Sequence, residues 1–291
     1  MRAAFISSAK GVAALVLLAI AAAAGPLQVP QKIEAGSAFS IQTAGTGTAV
    51  VYIVGPGQVL KRDVSLGENV TFDRGELHNA GHYTAFLAGP SSTAVGDFDV
   101  VPADRPSAIS FLAKPSRLPV DLHDGISGVV YVFDVFRNLI LEPMRVSFQL
   151  SEAAGSVETR AVQTHDGVAW IEMNSAPKAG EAQFEATVGN TNAQRVIQQV
   201  AGDPCNLRIS AQPAGDRIAV ETEPVRDCRG NPVPDGTVIT FTETYNGSEA
   251  TVDAPLKRGV AKTDLPARQG AVISVAAGVV MGNEIRWQGG R

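Results

Sequence analysis

Four histidines and the carboxylates beside them are the residues of this chain best suited to acid–base or metal chemistry. His78 and His82 have a spacing found in metal-binding pairs, but a glycine lies between them and they precede a predicted strand rather than lying on a helix. We interpret them as surface histidines. His123-Asp124 and His165-Asp166 each precede a glycine and a strand, which is typical of turns. Residues adjacent in sequence do not by themselves form a catalytic pair.

No segment matches a known pattern for a catalytic or cofactor site. Gly125-Ile126-Ser127-Gly128 is not a Gly-x-Ser-x-Gly nucleophile elbow. The chain also has no His-Glu-x-x-His pattern, no phosphate-binding loop and no acidic calcium loop. The sequence therefore predicts no catalytic residue, no metal site and no cofactor, and it favours a non-enzymatic protein.

Residues 1–24 have the pattern of a secretory signal peptide. Arg2 and Lys10 form a positive start, residues 12–20 are apolar, and three alanines precede Gly25 as a small-residue cleavage site. The apolar run is shorter than the ~20 residues of a membrane-spanning helix, so we expect cleavage rather than an anchor. The mature chain would then have no membrane span and would be exported to the periplasm, the cell surface or the extracellular space.

The charge of the chain argues against nucleic acid and anionic membranes as partners. The formal net charge is −5, and loss of the two signal-peptide cations, Arg2 and Lys10, makes it −7. An acidic chain without a basic cluster is repelled by phosphate-rich surfaces. The expected partner is a protein or a glycan at the cell surface, whose identity the sequence does not indicate.

Cys205 and Cys228 are the two cysteines of the chain. In an exported protein, an even number of cysteines within one domain predicts a disulfide. The alternative is a pair of free or metal-binding thiols, although two thiols without a nearby histidine make a poor zinc set. A bridge would join the first strand of the third domain to the turn that contains Cys228.

That turn belongs to the most informative stretch of the chain, residues 225–242. Gly230 and Asn231 are the residue types that most readily adopt positive φ, and Pro232 suits the entry to a strand. Pro234-Asp235-Gly236 then predicts a second tight turn with the proline at its first central position. From Thr237 onward the residues alternate, as in a strand with one buried face.

The same pattern occurs earlier, at a constant offset of 93 residues. Asp134 aligns with Asp227, and Asn138 aligns with Asn231. Closing strands follow Gly81, Gly180 and Gly270, which are 99 and 90 residues apart. This period is too long for a solenoid repeat and is typical of whole β-sandwich domains of ~100 residues.

The Asp-x-x-Gly-Asn-Pro-Val turn, the Val-x-Phe strand, the Gly-Val-Ala strand and the closing Ala-Gly strand together resemble bacterial immunoglobulin-like domains of the invasin and intimin type. The third segment matches over most of its length. The second has Arg137 and Leu139 where the pattern has Gly and Pro, so a looser turn is expected there, and the first segment retains only the closing strand. The resemblance implies rigid spacers or adhesive modules of cell-surface proteins, without catalytic residues in the repeat.

The predicted fold class is all-β, with tandem immunoglobulin-like sandwiches after a signal peptide. Residues 26–101 form an atypical first domain, residues 107–200 a second and residues 205–291 a third, with Pro-containing linkers between them. No segment after the signal has sustained helical periodicity, so helices should be scarce.

Trp170 is the residue most open to a binding role. If Ala169, Ile171 and Met173 face the core, Trp170 lies on the outer face, where it could stack on a sugar or a partner protein. Burial against a neighbouring domain is the alternative. The leading hypothesis is a non-enzymatic spacer or adhesion module of the cell envelope; the rivals are a carbohydrate-binding or accessory subunit, and an enzyme hidden in the atypical first domain.

Overall fold

The computed structural model describes residues 26–90 and 93–289, so the predicted signal peptide lies outside the described residues. The described residues form 25 β-strands and no helix, which confirms the all-β fold class. Accordingly, no helix in these two ranges is long and apolar enough to span a membrane. The chain divides into two compact units, Met1–Val101 and Pro102–Arg291.

The first unit contains one sandwich, built from two sheets with strand orders β1-β3-β6 and β2-β8-β7-β4-β5. Its core includes stacked Phe39 and Phe72, whose ring centroids are 4.7 Å apart, together with buried Tyr83 and Phe98. The strands are β1 (Leu27–Gln28), β2 (Lys32–Glu34), β3 (Phe39–Thr43), β4 (Thr48–Gly55), β5 (Gln58–Ser65), β6 (Asn69–Phe72), β7 (Gly81–Ala88) and β8 (Thr93–Val101).

The second unit begins with a second sandwich, whose sheets have the orders β14-β11-β9 and β10-β16-β15-β12-β13. Its core contains the mutually packed rings of Phe111, Phe148 and Phe184. The strands are β9 (Ala108–Lys114), β10 (Arg117–Pro119), β11 (Ile126–Phe133), β12 (Arg145–Glu152), β13 (Val157–Gln163), β14 (Val168–Met173), β15 (Gly180–Val188) and β16 (Thr191–Val200).

The first and second sandwiches have the same strand arrangement. In each, a short early strand pairs in parallel with the last strand: β2 with β8, and β10 with β16. The first sandwich therefore has the complete arrangement, although its sequence retains only the closing strand of the repeat. The connection between β3 and β4, residues 44–47, is shorter than the five-residue Asp-x-x-Gly-Asn turn, so that turn cannot form there.

The third sandwich also lies in the second unit and has its own core around Phe241 and Ile239, both fully buried. Its sheets are β17-β20, β18-β19-β23 and β22-β21-β24-β25. The strands are β17 (Pro204–Cys205), β18 (Ile209–Ala214), β19 (Arg217–Thr222), β20 (Arg226–Asp227), β21 (Val238–Tyr245), β22 (Ser248–Pro255), β23 (Lys262–Pro266), β24 (Val272–Ala277) and β25 (Val280–Arg286).

The boundaries of the three predicted domains stay a prediction. The division at Val101/Pro102 falls at the end of the predicted first domain. Two separate hydrophobic cores within the second unit support its further division into residues 107–200 and 205–291.

Candidate functional site

The turn at residues 227–231 of the third sandwich is organised by hydrogen bonds to the side chain of Asp227. The Asp227 carboxylate is 6% exposed and accepts four hydrogen bonds. Oδ1 accepts from the backbone N–H groups of Arg229 (2.9 Å) and Asn231 (2.8 Å), and Oδ2 accepts from Asn231 Nδ2 (2.8 Å) and the Gly202 N–H (3.1 Å). One side chain thus closes its own turn and also holds the linker that enters the domain.

Asp134 makes the same four bonds in the second sandwich. Its fully buried carboxylate accepts from the N–H groups of Phe136 (2.9 Å) and Asn138 (2.8 Å), from Asn138 Nδ2 (2.8 Å) and from the Ala103 N–H (3.0 Å). The structure therefore gives Asp134 and Asp227 one role, in agreement with their alignment in sequence. Ala103, like Gly202, belongs to the linker before its sandwich, and no signal within the repeated motif points to it.

Two details of the turn predictions were wrong. The second-domain turn is not looser, because Arg137 adopts the positive φ (70°) that Gly230 adopts (81°), and the Asp134 N–H to Asn138 oxygen bond is 3.0 Å. In the turn after Pro232, the Thr237 N–H donates to the Pro234 oxygen. Pro234 is therefore the first residue of that turn, and it does not occupy a central position.

The Asp227 carboxylate is held in its charged form. Burial by itself would raise the pKa of Asp227, but the hydrogen bonds from Asn231, Gly202 and Arg229 outweigh it and place the pKa below its ordinary value. Four oriented N–H groups thus stabilise the negative charge.

The same turn forms the joint between the second and third sandwiches. Arg229 donates from Nε (2.8 Å) and Nη2 (2.9 Å) to the two carboxylate oxygens of Asp121. Asn231 is 4% exposed; its Oδ1 accepts from the Ala179 N–H and its Nδ2 donates to the Pro177 oxygen, each at 3.0 Å. Lys178 Nζ donates to the Arg229 oxygen at 3.0 Å. Asn231 is the one residue of this joint that the sequence analysis named, and it was predicted there only as a turn residue.

The predicted disulfide between Cys205 and Cys228 is present. The bridge links β17 to the residue that follows Asp227, and β17 pairs with β20 at the same place. It therefore ties the start of the third sandwich to the turn that forms the joint.

Trp170 lies on the outer face of the sheet β14-β11-β9. Ala169, Ile171 and Met173 are buried, whereas the Trp170 side chain is 65% exposed. Val129 pairs directly with Trp170 on one side and with Leu112, which is 50% exposed, on the other. These three residues form a continuous apolar row across the sheet, and we refer to Leu112, Val129 and Trp170 as the apolar row.

The corresponding rows of the other two sandwiches are polar. In the third sandwich Glu221 pairs with Ser210 and Lys262, and Lys262 Nζ lies 2.5 Å from a Glu221 carboxylate oxygen. In the first sandwich the row consists of Gln28, Gln42 and Asn69. The fold therefore does not require the apolar row, which is specific to the second sandwich.

The first sandwich carries a different exposed apolar row that the sequence predictions missed. On its five-stranded sheet Tyr52 pairs with Phe86, and Phe86 pairs with Val95; Phe86 is 41% and Val95 62% exposed. The matching positions of the second sandwich are Gln149, Glu185 and Gln194. The sequence signal for this row was that β4 and β7 carry large apolar residues on both faces, whereas a strand with one solvent-exposed face usually carries them on one.

The histidines do not assemble a site. His78 Nδ1 lies 3.0 Å from Gln58 Nε2, and His82 Nδ1 lies 3.0 Å from an Asp99 carboxylate oxygen. His123 and His165 contact the aspartates that follow them. Among residues 26–90 and 93–289, no three His, Cys, Asp or Glu side chains are placed to hold a metal ion.

Glu243 is a buried carboxylate in the core of the third sandwich. It is 1% exposed, and neither carboxylate oxygen has a hydrogen-bond partner among the described residues. Arg268 Nη1 lies 3.9 Å from Glu243 Oε2. Glu243 pairs with Ile273, as Leu150 pairs with Phe184 in the second sandwich. Glu243 therefore occupies the core position at which the second sandwich has a leucine.

No family model matches the chain, and no curated protein matches it. The solved structures similar to it include invasin, a bacterial integrin-binding protein, at 10% identity and a TM-score of 0.49 over 89% of this chain. Yersinia pseudotuberculosis InvD has 12% identity and a TM-score of 0.43, covering 89% of this chain and 84% of InvD. The FN1–FN3 domains of chicken CNTN1 have 12% identity and a TM-score of 0.39, covering 90% and 96%.

The chain spans 59% of the length of the invasin structure. Two of the three structures named above, invasin and InvD, are bacterial proteins. Likenesses at these TM-scores carry no inference about function, which must come from the residues of this chain.

Proposed function

We propose that this chain is an exported, non-enzymatic module of tandem immunoglobulin-like sandwiches that acts as a stiff spacer or adhesion module in the cell envelope. The joint between the second and third sandwiches is the observation that carries this proposal. A spacer must hold its domains at a defined angle, and this joint is built from oriented contacts on both sides.

The contacts at the joint differ in strength. Arg229 and Asp121 are 55% and 48% exposed, so their ion pair contributes at most about 1 kcal/mol. The two bonds that Asn231 makes across the joint are shielded from water, and each contributes about 1 kcal/mol. The Arg229 guanidinium and the Asn231 amide each make two hydrogen bonds across the joint. Two bonds to one planar group restrict the rotation of the two sandwiches relative to each other as well as their separation.

The disulfide supports export, because such bonds persist in oxidising compartments. Periplasm, cell surface and extracellular space all satisfy this condition. The partner would be a protein or a glycan presented at that surface.

A carbohydrate-binding or accessory role is the second candidate, and the 65% exposure of Trp170 favours it. Aromatic faces stack on sugar rings and on partner side chains alike. Glycan-array binding that is lost in Trp170→Ala is the expected result for this role.

The spacer proposal is tested by measuring the distance between spin labels on Gln149 and Thr251, exposed residues of the second and third sandwiches. The unmodified joint should give one narrow distance distribution, and the double variant Arg229→Ala/Asn231→Ala should broaden it. Arg160→Ala is the matched control, since it removes an ion pair with Glu158 inside the second sandwich. A broad distribution with the joint intact would refute the stiff spacer.

A further inference from the structure

The apolar row is bordered by a second row whose ends carry opposite charges. Ser127 lies two residues before Val129 on β11, and it pairs with Lys114 on β9 and with Glu172 on β14. Lys114 and Glu172 are both exposed. One margin of this sheet face is therefore cationic and the other anionic at the same level, beside the exposed Leu112 and Trp170 and the half-buried Val129.

Charges of opposite sign at the two margins make the face complementary to itself. A twofold axis that runs along β11 in the plane of contact places the β9 margin of one copy over the β14 margin of the other. Lys114 then faces Glu172 of the second copy, and Leu112 faces Trp170 of the second copy, while Val129 meets its own counterpart at the axis. Both interactions occur twice, as an isologous interface requires.

We propose that the outer face of the sheet β14-β11-β9 binds a second copy of this chain, with the apolar row at the centre. This packing is the aligned face-to-face arrangement that sheets adopt at ~10 Å separation. An apolar cluster that contains an aromatic side chain and is bordered by charged residues is also the usual form of an interaction hot spot. The polar rows of the first and third sandwiches restrict the interface to the second sandwich.

The observations favour a second copy over a glycan. The face is an open sheet surface, whereas small-molecule sites are concave with converging polar groups. The charged margins need a partner with two charges of opposite sign at matching positions. Arg160 reaches the Glu172 backbone oxygen but is itself paired with Glu158, so this pair leaves the charge of the Glu172 margin unchanged.

The size of the face predicts a weak complex. Three strands spaced by ~4.8 Å and about six residues at ~3.3 Å each give a patch of roughly 14 by 20 Å. This area is below the ~800 Å² per partner of a standard stable interface. We therefore expect a dissociation constant on the order of 10 µM to 1 mM, which becomes relevant where many copies are crowded at one surface.

Sedimentation equilibrium of residues 25–291, run over a concentration series up to about 1 mM, tests the proposal through charge reversal. Lys114→Glu gives a face with two anionic margins, and Glu172→Lys gives one with two cationic margins. Each variant alone should dimerise at least about tenfold more weakly, since like charges then face each other. An equimolar mixture should recover association, because every charged pair is attractive in the mixed dimer. Recovery also shows that both variants are folded.

Trp170→Ala should weaken association by about tenfold or more. Phe86→Ala is the control, because it removes an exposed aromatic from the first sandwich and should leave association unchanged. A wild-type chain that stays monomeric at 1 mM, a mixture that fails to recover association, or association lost in Phe86→Ala but retained in Trp170→Ala would each overturn the proposal. Glycan binding by a strictly monomeric protein, lost in Trp170→Ala, would assign the face to a sugar instead.

Discussion

Replacing Asp227 with asparagine tests how strongly one carboxylate organises the third sandwich. The substitution keeps the shape of the side chain but turns one oxygen into a donor. Because each Asp227 oxygen accepts two hydrogen bonds, either orientation of the new amide loses two of them. The amide also places an N–H group against two other N–H groups in a site that is 6% exposed.

The expected cost follows from the bonds that are lost. Hydrogen bonds to charged groups contribute about 1.5–3 kcal/mol each, and the two remaining bonds lose their charge assistance. Asp227→Asn should therefore lower the free energy of unfolding of the third sandwich by about 3–6 kcal/mol. Asp134→Asn is the matched variant, because Asp134 accepts the same four bonds in the second sandwich.

The effect should depend on pH in a defined direction. The pKa of folded Asp227 lies below its ordinary value, so its stabilising contribution is complete above about pH 4 and is lost as the pH falls through the folded-state pKa. The stability difference between the wild type and Asp227→Asn should therefore narrow below about pH 4. Titration in the opposite direction, toward pH 8, should leave the difference unchanged.

Urea unfolding combined with hydrogen exchange of the Arg229 and Asn231 amides measures this effect within one sandwich. Exchange at these amides should accelerate in Asp227→Asn, while the equivalent amides of Phe136 and Asn138 keep their protection. Destabilisation below about 1 kcal/mol, or equal acceleration in both turns, would refute the view that each carboxylate organises its own sandwich.

Three further predictions concern stability and accessibility. Reduction of the Cys205–Cys228 bridge, whose residues are 23 apart, should destabilise the third sandwich alone by about 3 kcal/mol, as one melting transition that moves in calorimetry. Glu243→Leu should stabilise the same sandwich by about 1–4 kcal/mol in urea unfolding, because it replaces an unsatisfied buried carboxylate with the residue type found at the matching core position; a loss of stability would show that the carboxylate has a partner. A protease of broad specificity should cut residues 103–106 before residues 201–204, because Pro204 is buried and pairs with Asp227, whereas Asp104 and Arg105 are exposed; the reverse order would contradict an ordered joint.

Trp170 illustrates what strand periodicity in the sequence can predict and what it cannot. Alternation places successive side chains on opposite faces, so the exposure of Trp170 could be predicted from its buried neighbours. The residues beside it could not, because Leu112 and Val129 lie 58 and 41 positions earlier and their alignment depends on the registers of two strand pairs. For the same reason Tyr52, Phe86 and Val95 were not recognised as one exposed row.

Local chemistry in the sequence determined the turns, the strand faces and the disulfide of this protein. Asp227, Gly230 and Asn231 lie within five residues, so their geometry follows from short-range φ preferences and an aspartate that bonds to its own turn. Tertiary structure alone decided that the same turn meets Pro177, Ala179 and an aspartate 108 residues away from Arg229. Contacts of that range depend on how completed sandwiches meet, and the residue types within either partner do not specify them.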